Sequence, residues 1–216
     1  MKTILISGGN INPDFALDFI KKHPADHIIA IDKGLMFCHN NGIRPDYIVG
    51  DFDSLPSGIL ETYEQNPDIQ VKRLTPEKDD SDTESAMHLA MEIQSRTIYL
   101  LGATGTRLDH MMANLQLLAY AKRQGIQMYL VDEHNLAAVL TQPIVLKKEE
   151  QYGTFVSFFS LGDEVLKLTL KGFKHPLTNH HLTNISCGLS LSNEIMEEEA
   201  EVTFESGILL MIQSKD

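Results

Sequence analysis

Apolar positions along the first two thirds of the chain switch repeatedly between a short continuous run and a helical spacing. Thr3-Ile4-Leu5-Ile6 reads as a buried strand, and a turn follows at Gly8-Gly9-Asn10. Asn12 is placed to cap a helix with Pro13 at its first position and Phe15, Phe19 and Ile20 on one face. Ile28 to Ile31 predicts a second strand, and 35–41 a short helix that stops at Gly42. Tyr47-Ile48-Val49 predicts a third strand, running straight into Gly50-Asp51-Phe52-Asp53-Ser54. Val71 to Leu74 reads as a fourth. Ser81-Asp82-Thr83-Glu84 is a capping box that opens a helix through Ala86, Met87, Ala90 and Ile93. Ile98 to Leu101 predicts a strand ending in Gly102-Ala103-Thr104-Gly105-Thr106. Leu108, Met111, Met112, Leu115 and Leu118 then keep helical spacing up to Gly125, before a strand at Met128 to Val131. Strands alternating with helices over short connections predict a parallel sheet covered on both faces.

After about Asn135 the pattern changes. Short β-type runs at 144–146, 154–159, 165–170, 202–204 and 208–212 are separated by turn residues. The fold class expected is therefore α/β: a parallel-sheet domain over 1–138, then a small antiparallel β-sandwich over 139–216. Glu197-Glu198-Glu199 reads as a solvated turn between strands.

Composition narrows the classes. The chain has 216 residues, 43% of them hydrophobic, as in a packed globular protein. The apolar start breaks at Gly8, too short for a signal segment or a membrane span, so a cytoplasmic protein with no membrane partner is expected. Its 2 cysteines, Cys38 and Cys187, make neither a disulfide framework nor a zinc cluster, and they suit a reducing compartment. A net charge of −12 disfavours a nucleic-acid partner and favours metal ions and cationic small molecules.

The acidic residues of the first domain fall at strand and helix ends. Asp51 and Asp53 follow one strand, Asp79, Asp80 and Asp82 precede and cap a helix, and Asp109 begins another. In an open parallel sheet ligands bind at the carboxyl edge, so these groups converge there. Clustered carboxylates repel one another and call for a cation. Mg²⁺ is the natural one, a hard ion held by one or two carboxylates together with substrate phosphates. In an extended segment Asp51 and Asp53 point the same way and face one ion. Gly102 to Arg107, between a strand and a helix, reads as a phosphate cradle with a guanidinium beside it.

Other signals are weaker. There is no G-x-x-x-x-G-K-[ST] phosphate loop. Gly8-Gly9 with Asp32 imitates a dinucleotide fingerprint, but Pro13 stands where the third glycine belongs. His175, His180 and His181 lie in a polar loop region without convincing metal spacing. Gly188 to Glu194 offers hydroxyls and amides that either read the polar edge of a heteroaromatic ring or turn a hairpin.

Three segments together match a family. Gly50-Asp51-Phe52-Asp53-Ser54, 78–87 (KDDSDTESAM) and 102–110 (GATGTRLDH) through Asn114 resemble bacterial thiamine pyrophosphokinase. Gly172-Phe173-Lys174-His175-Pro176-Leu177 and Ser190-Leu191-Ser192-Asn193-Glu194 are similar to its C-terminal motifs. The resemblance implies transfer of a diphosphate from ATP to the hydroxyl of thiamine, releasing AMP. It also implies a homodimer with the active site between subunits. By resemblance, Asp51, Asp53, Asp79 and Asp82 surround Mg²⁺ and the phosphates. Lys78, Gly102, Thr104, Gly105, Arg107, Asp109, His110 and Asn114 lie on the ATP side, with Arg107 catalytic. His175, Ser190, Ser192 and Asn193 face thiamine. Many members carry Trp or Tyr where this chain has His175, and this chain has no Trp. A diphosphokinase for another alcohol, such as a hydroxymethyl pterin, and a non-catalytic Mg-nucleotide sensor are the rival readings.

Overall fold

The computed structural model describes residues 1–53, 55–75, 80–186 and 188–216. Two compact units result, one of Met1–Leu117 with Gly125–Glu133, the other of Leu118–Gln124 with His134–Asp216.

The first unit runs β1 (Lys2–Ile6), α1 (Pro13–Lys22), β2 (His27–Ile31), α2 (Gly34–Asn40), β3 (Tyr47–Gly50) and α3 (Ile59–Glu64). It continues β4 (Gln70–Arg73), α4 (Asp82–Glu92), β5 (Thr97–Leu101), the start of α5 (Leu108–Arg123) and β6 (Gln127–Val131). The strands lie in the order β4-β3-β2-β1-β5-β6, all parallel. Ile4, Leu5, Ile6, Ile29, Ala30, Ile48, Val49, Ile98 and Leu100 are fully buried, as expected of strands covered on both faces. Strand order reverses at β1, with β2 on one side and β5 on the other. The connections leaving β1 and β5 therefore diverge, and the crevice they open is where such sheets bind ligands.

The expected helix starts are present. The Asn12 side chain accepts the Phe15 N–H at 3.3 Å, with Pro13 as the first helical residue. Ser81 Oγ accepts the Glu84 N–H at 3.1 Å, and α4 buries Ala86, Met87, Leu89 and Ala90. In α5 the buried positions are Asn114, Leu117, Leu118 and Ala121, while Leu108 and Met112 of the expected apolar stripe are exposed. Helix α3 was not anticipated, being shorter than two turns and lacking a clear apolar period. Among the described residues no helix is long and apolar enough to cross a membrane. Cys38 is fully buried as a free thiol, and burial pushes its pKa up to about 12.

The second unit contains β7 (Asn135–Leu140), β8 (Ile144–Lys147), β9 (Phe155–Ser160), β10 (Glu164–Lys171), β11 (Leu177–Thr183), β12 (Glu199–Thr203) and β13 (Leu209–Ser214). β13 pairs antiparallel with both β7 and β9, and a four-stranded antiparallel sheet has the order β11-β10-β12-β8. Phe158, Val156 and Leu209 from the first group meet Val165, Leu168, Leu170, Leu182 and Val202 from the second in one buried cluster. This is the core of the expected sandwich.

Two strands were not anticipated. β7 carries Asn135-Leu136-Ala137-Ala138-Val139-Leu140 across the turning point of the pattern. β11 holds His180 and His181, which the sequence reading placed in a loop. It is an edge strand, and Leu182 is its one fully buried side chain, so its sequence lacks a hydrophobic alternation. Nε2 of His181 lies 2.7 Å from Glu164 Oε2 on the neighbouring strand. Glu197 and Glu198 form the expected exposed turn, and Glu199 opens β12.

Candidate active site

A cavity of about 610 Å³ opens in the first unit at the strand-order reversal. Its wall combines Ser7, Gly8 and Gly9 after β1, Ile31, Asp32 and Lys33 at the end of β2, and Ser81, Asp82 and Thr83 at the start of α4. The loop after β5 and the first turns of α5 complete it, with Gly102, Ala103, Gly105, Thr106, Arg107, Asp109, His110, Ala113 and Asn114. The loops after β1 and β5 are held together by backbone hydrogen bonds, Ser7 N–H to Leu101 O and Gly9 N–H to Gly102 O, each 2.9 Å.

Carboxylates gather beside this cavity, including one that the sequence reading missed. Asp32 directly follows β2 with φ +46°, in the left-handed region. It packs so closely on Gly50 that a Cβ there would lie 1.9 Å from its Oδ1. That oxygen is buried without a hydrogen-bond partner. Burial pushes the Asp32 carboxyl up to about 7, the neighbouring Asp82 carboxyl adds to the effect, and the charge of Asp51 adds further. In the sequence Asp32 drew attention only as the acidic residue of a false dinucleotide fingerprint. Its place after a strand, level with Gly50-Asp51, was the available signal.

Asp51 and Asp53 do not share the geometry expected of them. β3 ends at Gly50, and Phe52 is left-handed at φ +66°, so 51–53 is a turn and not an extended pair. Asp51 Oδ1 accepts the Asp53 N–H at 3.1 Å, while the Phe52 ring is buried and Asp53 is exposed. An aspartate that bonds its own backbone two residues on stabilises such a turn. Asp82 sits at the first position of α4, and Asp80 Oδ2 is 3.3 Å from His88 Nδ1. Lys78 and Asp79 lie outside the described residues.

The carboxylates that are described suit a hard divalent cation. Asp32, Asp51 and Asp82 offer oxygen donors only, burial and the other two carboxylates raise the proton affinity of Asp32, and one buried oxygen of Asp32 has no partner. Among the described residues no three side chains close into a complete ligand set. An ion that takes one or two carboxylates and fills its shell with phosphate and water does not need one.

The cradle after β5 is partly committed within the protein. Arg107 donates from Nε to Asp109 Oδ1 at 3.1 Å and from a terminal nitrogen to Oδ2 at 2.6 Å. This guanidinium holds the exposed Asp109 carboxyl down at about 2. Asp109 Oδ1 also accepts the His110 N–H at 2.9 Å. Buried Asn114 donates to Ala103 O at 3.0 Å and so ties α5 to the glycine loop. Thr104, Asp51 and Asp53 lie outside the cavity wall.

In the second unit the residues that the resemblance places against thiamine have internal partners. Ser190 is fully buried, with Oγ donating to Phe158 O at 2.7 Å. The Ser192 N–H donates to Ser157 Oγ at 2.9 Å, and Ser192 itself is exposed with φ +51°. Asn193 is fully buried. Its Oδ1 accepts the N–H groups of His175 and Glu194, both at 3.0 Å, and its amide donates to His175 O at 2.7 Å. His175 is exposed.

A parallel sheet with a carboxylate-flanked cavity at its switch point, followed along the chain by a β-sandwich unit, defines an α/β enzyme of the class that binds its ligand at the carboxyl edge of the sheet. The family model for "Thiamin pyrophosphokinase, catalytic domain" matches residues 21–130, and that for "Thiamin pyrophosphokinase, vitamin B1 binding domain" matches 141–209. The chain belongs to the thiamin pyrophosphokinase family. It is 33% identical to thiamine pyrophosphokinase of Bacillus subtilis (strain 168) over 220 residues, covering 100% of both chains. The crystal structure of the Bacillus subtilis enzyme superposes with a TM-score of 0.87 at 31% identity, covering 100% of both chains. The structure from Geobacillus thermodenitrificans gives a TM-score of 0.82 at 33% identity, over 100% of this chain and 98% of that one.

Proposed function

We propose that this chain transfers the diphosphate of ATP to the hydroxyl of thiamine, giving thiamine diphosphate and AMP, with Mg²⁺ as cofactor. The observation that carries this reading is the gathering of Asp32 and Asp82 on the wall of a cavity at the sheet's switch point, with Asp51 close enough to act on the buried Asp32 carboxyl. In the reaction the thiamine hydroxyl oxygen bonds to the β-phosphorus. The bond from that phosphorus to the α,β-bridging oxygen breaks, and AMP leaves with that oxygen. The hydroxyl proton passes to a base or to solvent.

Positioning and charge neutralisation do most of the work in phosphoryl transfer. Mg²⁺, when bound, offsets charge on the phosphate oxygens. Asp51, Asp53 and Asp82 hold it in this reading, and Asp32 joins them through its partnerless oxygen. By their motif Asp79 belongs to the same set and Lys78 to the ATP side. Arg107, already aligned by Asp109, faces the phosphates, and Asn114 holds the loop that approaches them. His175 lies against thiamine, and its backbone is fixed by Asn193. A cytoplasmic homodimer that closes the site between subunits completes the reading.

Incubation with MgATP and thiamine tests it. AMP together with thiamine diphosphate is expected. ADP would indicate a simple kinase, and no turnover with any alcohol would indicate a nucleotide sensor.

A further inference from the structure

Among the described residues the cavity wall carries two permanently charged cations, Arg107 and Lys33. Arg107 is spent on Asp109, with its two hydrogen bonds at 3.1 and 2.6 Å. The His110 N–H at the start of α5 is spent on the same carboxylate at 2.9 Å. The N–H groups of Ser7 and Gly9 are spent on Leu101 O and Gly102 O, each at 2.9 Å. Much of the donor capacity expected to meet phosphate is thus satisfied within the protein.

Lys33 differs. Among the described residues it has no carboxylate partner within ion-pair distance, and it is exposed on the cavity wall directly after Asp32. Its backbone is seated against Gly8, where a Cβ would lie 2.7 Å from Lys33 Cβ and 3.3 Å from its Cα. A side chain at Gly8 would displace Lys33 from the wall. The neighbouring side chains Asp32 and Asp82 are acidic, so an anion entering this cavity needs a cation of its own. An ammonium on a flexible stem serves as a mobile point charge for phosphate oxygens.

We propose that Lys33 is a polyphosphate-binding residue, pairing its ammonium with the phosphates of the nucleoside triphosphate. The assignment rests on reading the cavity as the nucleotide site.

The test is titration calorimetry on the full chain with adenosine 5′-(α,β-methylene)triphosphate and Mg²⁺, a pair that binds without transfer. Lys33→Met should weaken the analogue at least ~10-fold, the scale of one charge-assisted hydrogen bond. Lys33→Arg should stay within about threefold of wild type, since it keeps the charge. Adenosine, which lacks phosphate, should bind wild type and Lys33→Met alike. Unchanged analogue affinity in Lys33→Met would overturn the assignment. So would an equal loss for adenosine, because Lys33 would then support the fold of the cavity. A wild-type protein that binds the analogue yet makes no AMP from ATP and thiamine would sink the proposed reaction and leave the Lys33 comparison standing.

Discussion

Asn193 holds both backbone polar groups of His175. Its Oδ1 accepts the His175 N–H at 3.0 Å and its amide donates to the His175 carbonyl at 2.7 Å. A side chain that mimics a strand partner in this way fixes a peptide without a strand. The Asn193 main chain also exchanges two hydrogen bonds with Val156, at 2.9 and 2.7 Å. The loop that presents His175 is thereby fastened to the sandwich core.

Asn193→Ala should therefore destabilise the protein. Two backbone groups of His175 lose their partner, and unsatisfied groups cost about 1–3 kcal/mol each where water does not replace the bond. A loss of about 2–4 kcal/mol in urea unfolding is expected. Unchanged stability with only a raised thiamine KM would mean that the amide faces the substrate, as the resemblance implies.

Asp53→Asn should cost at least ~10²-fold in kcat, the scale found when a charge-stabilising group is removed. Asp53 is exposed on a turn, so the thermal midpoint should stay close to wild type. Near-normal turnover at saturating ATP and ordinary Mg²⁺ would remove Asp53 from the metal set.

Asp32 makes metal-free stability depend on pH. Its native pKa is raised to about 7 from 3.8, so the native state binds the proton more tightly than the unfolded chain does. This contribution is fully present below the unfolded value and is lost as pH rises through the native one. In EDTA, stability should fall between about pH 4 and pH 7 by more in wild type than in Asp32→Asn, which stays neutral. Urea midpoints measured across that range check this, and parallel curves would show that Asp32 titrates like an ordinary carboxylate. Added Mg²⁺ should restore wild type at pH 8 more than the variant.

His175→Trp should tighten thiamine by ~0.5–2 kcal/mol, because an indole face attracts the thiazolium cation more strongly than an imidazole does. Thiamine KM for both proteins is the measurement. An equal KM would place His175 away from the substrate.

Much of the fold could be read from local pattern. The caps at Asn12 and Ser81, the buried runs at β1, β2 and β3, and the change of texture near Asn135 all depend on neighbours within a few residues. The family was legible for the same reason, since its motifs are contiguous segments at strand and helix ends. What tertiary structure alone decided is which of those polar groups are free. Ser190 and Asn193 stood out in the sequence as ligand-facing groups, yet each is held by a partner in the folded chain. For Ser190 and Asn193 that partner is 32 and 18 residues away. Asp32 shows the converse. Its perturbed carboxyl comes from burial and from Asp51 and Asp82, which three separate connections bring to one sheet edge. Local periodicity records which face of an element is buried. It carries no information about which distant polar group will meet it there, because that depends on strand order and on the approach of loops.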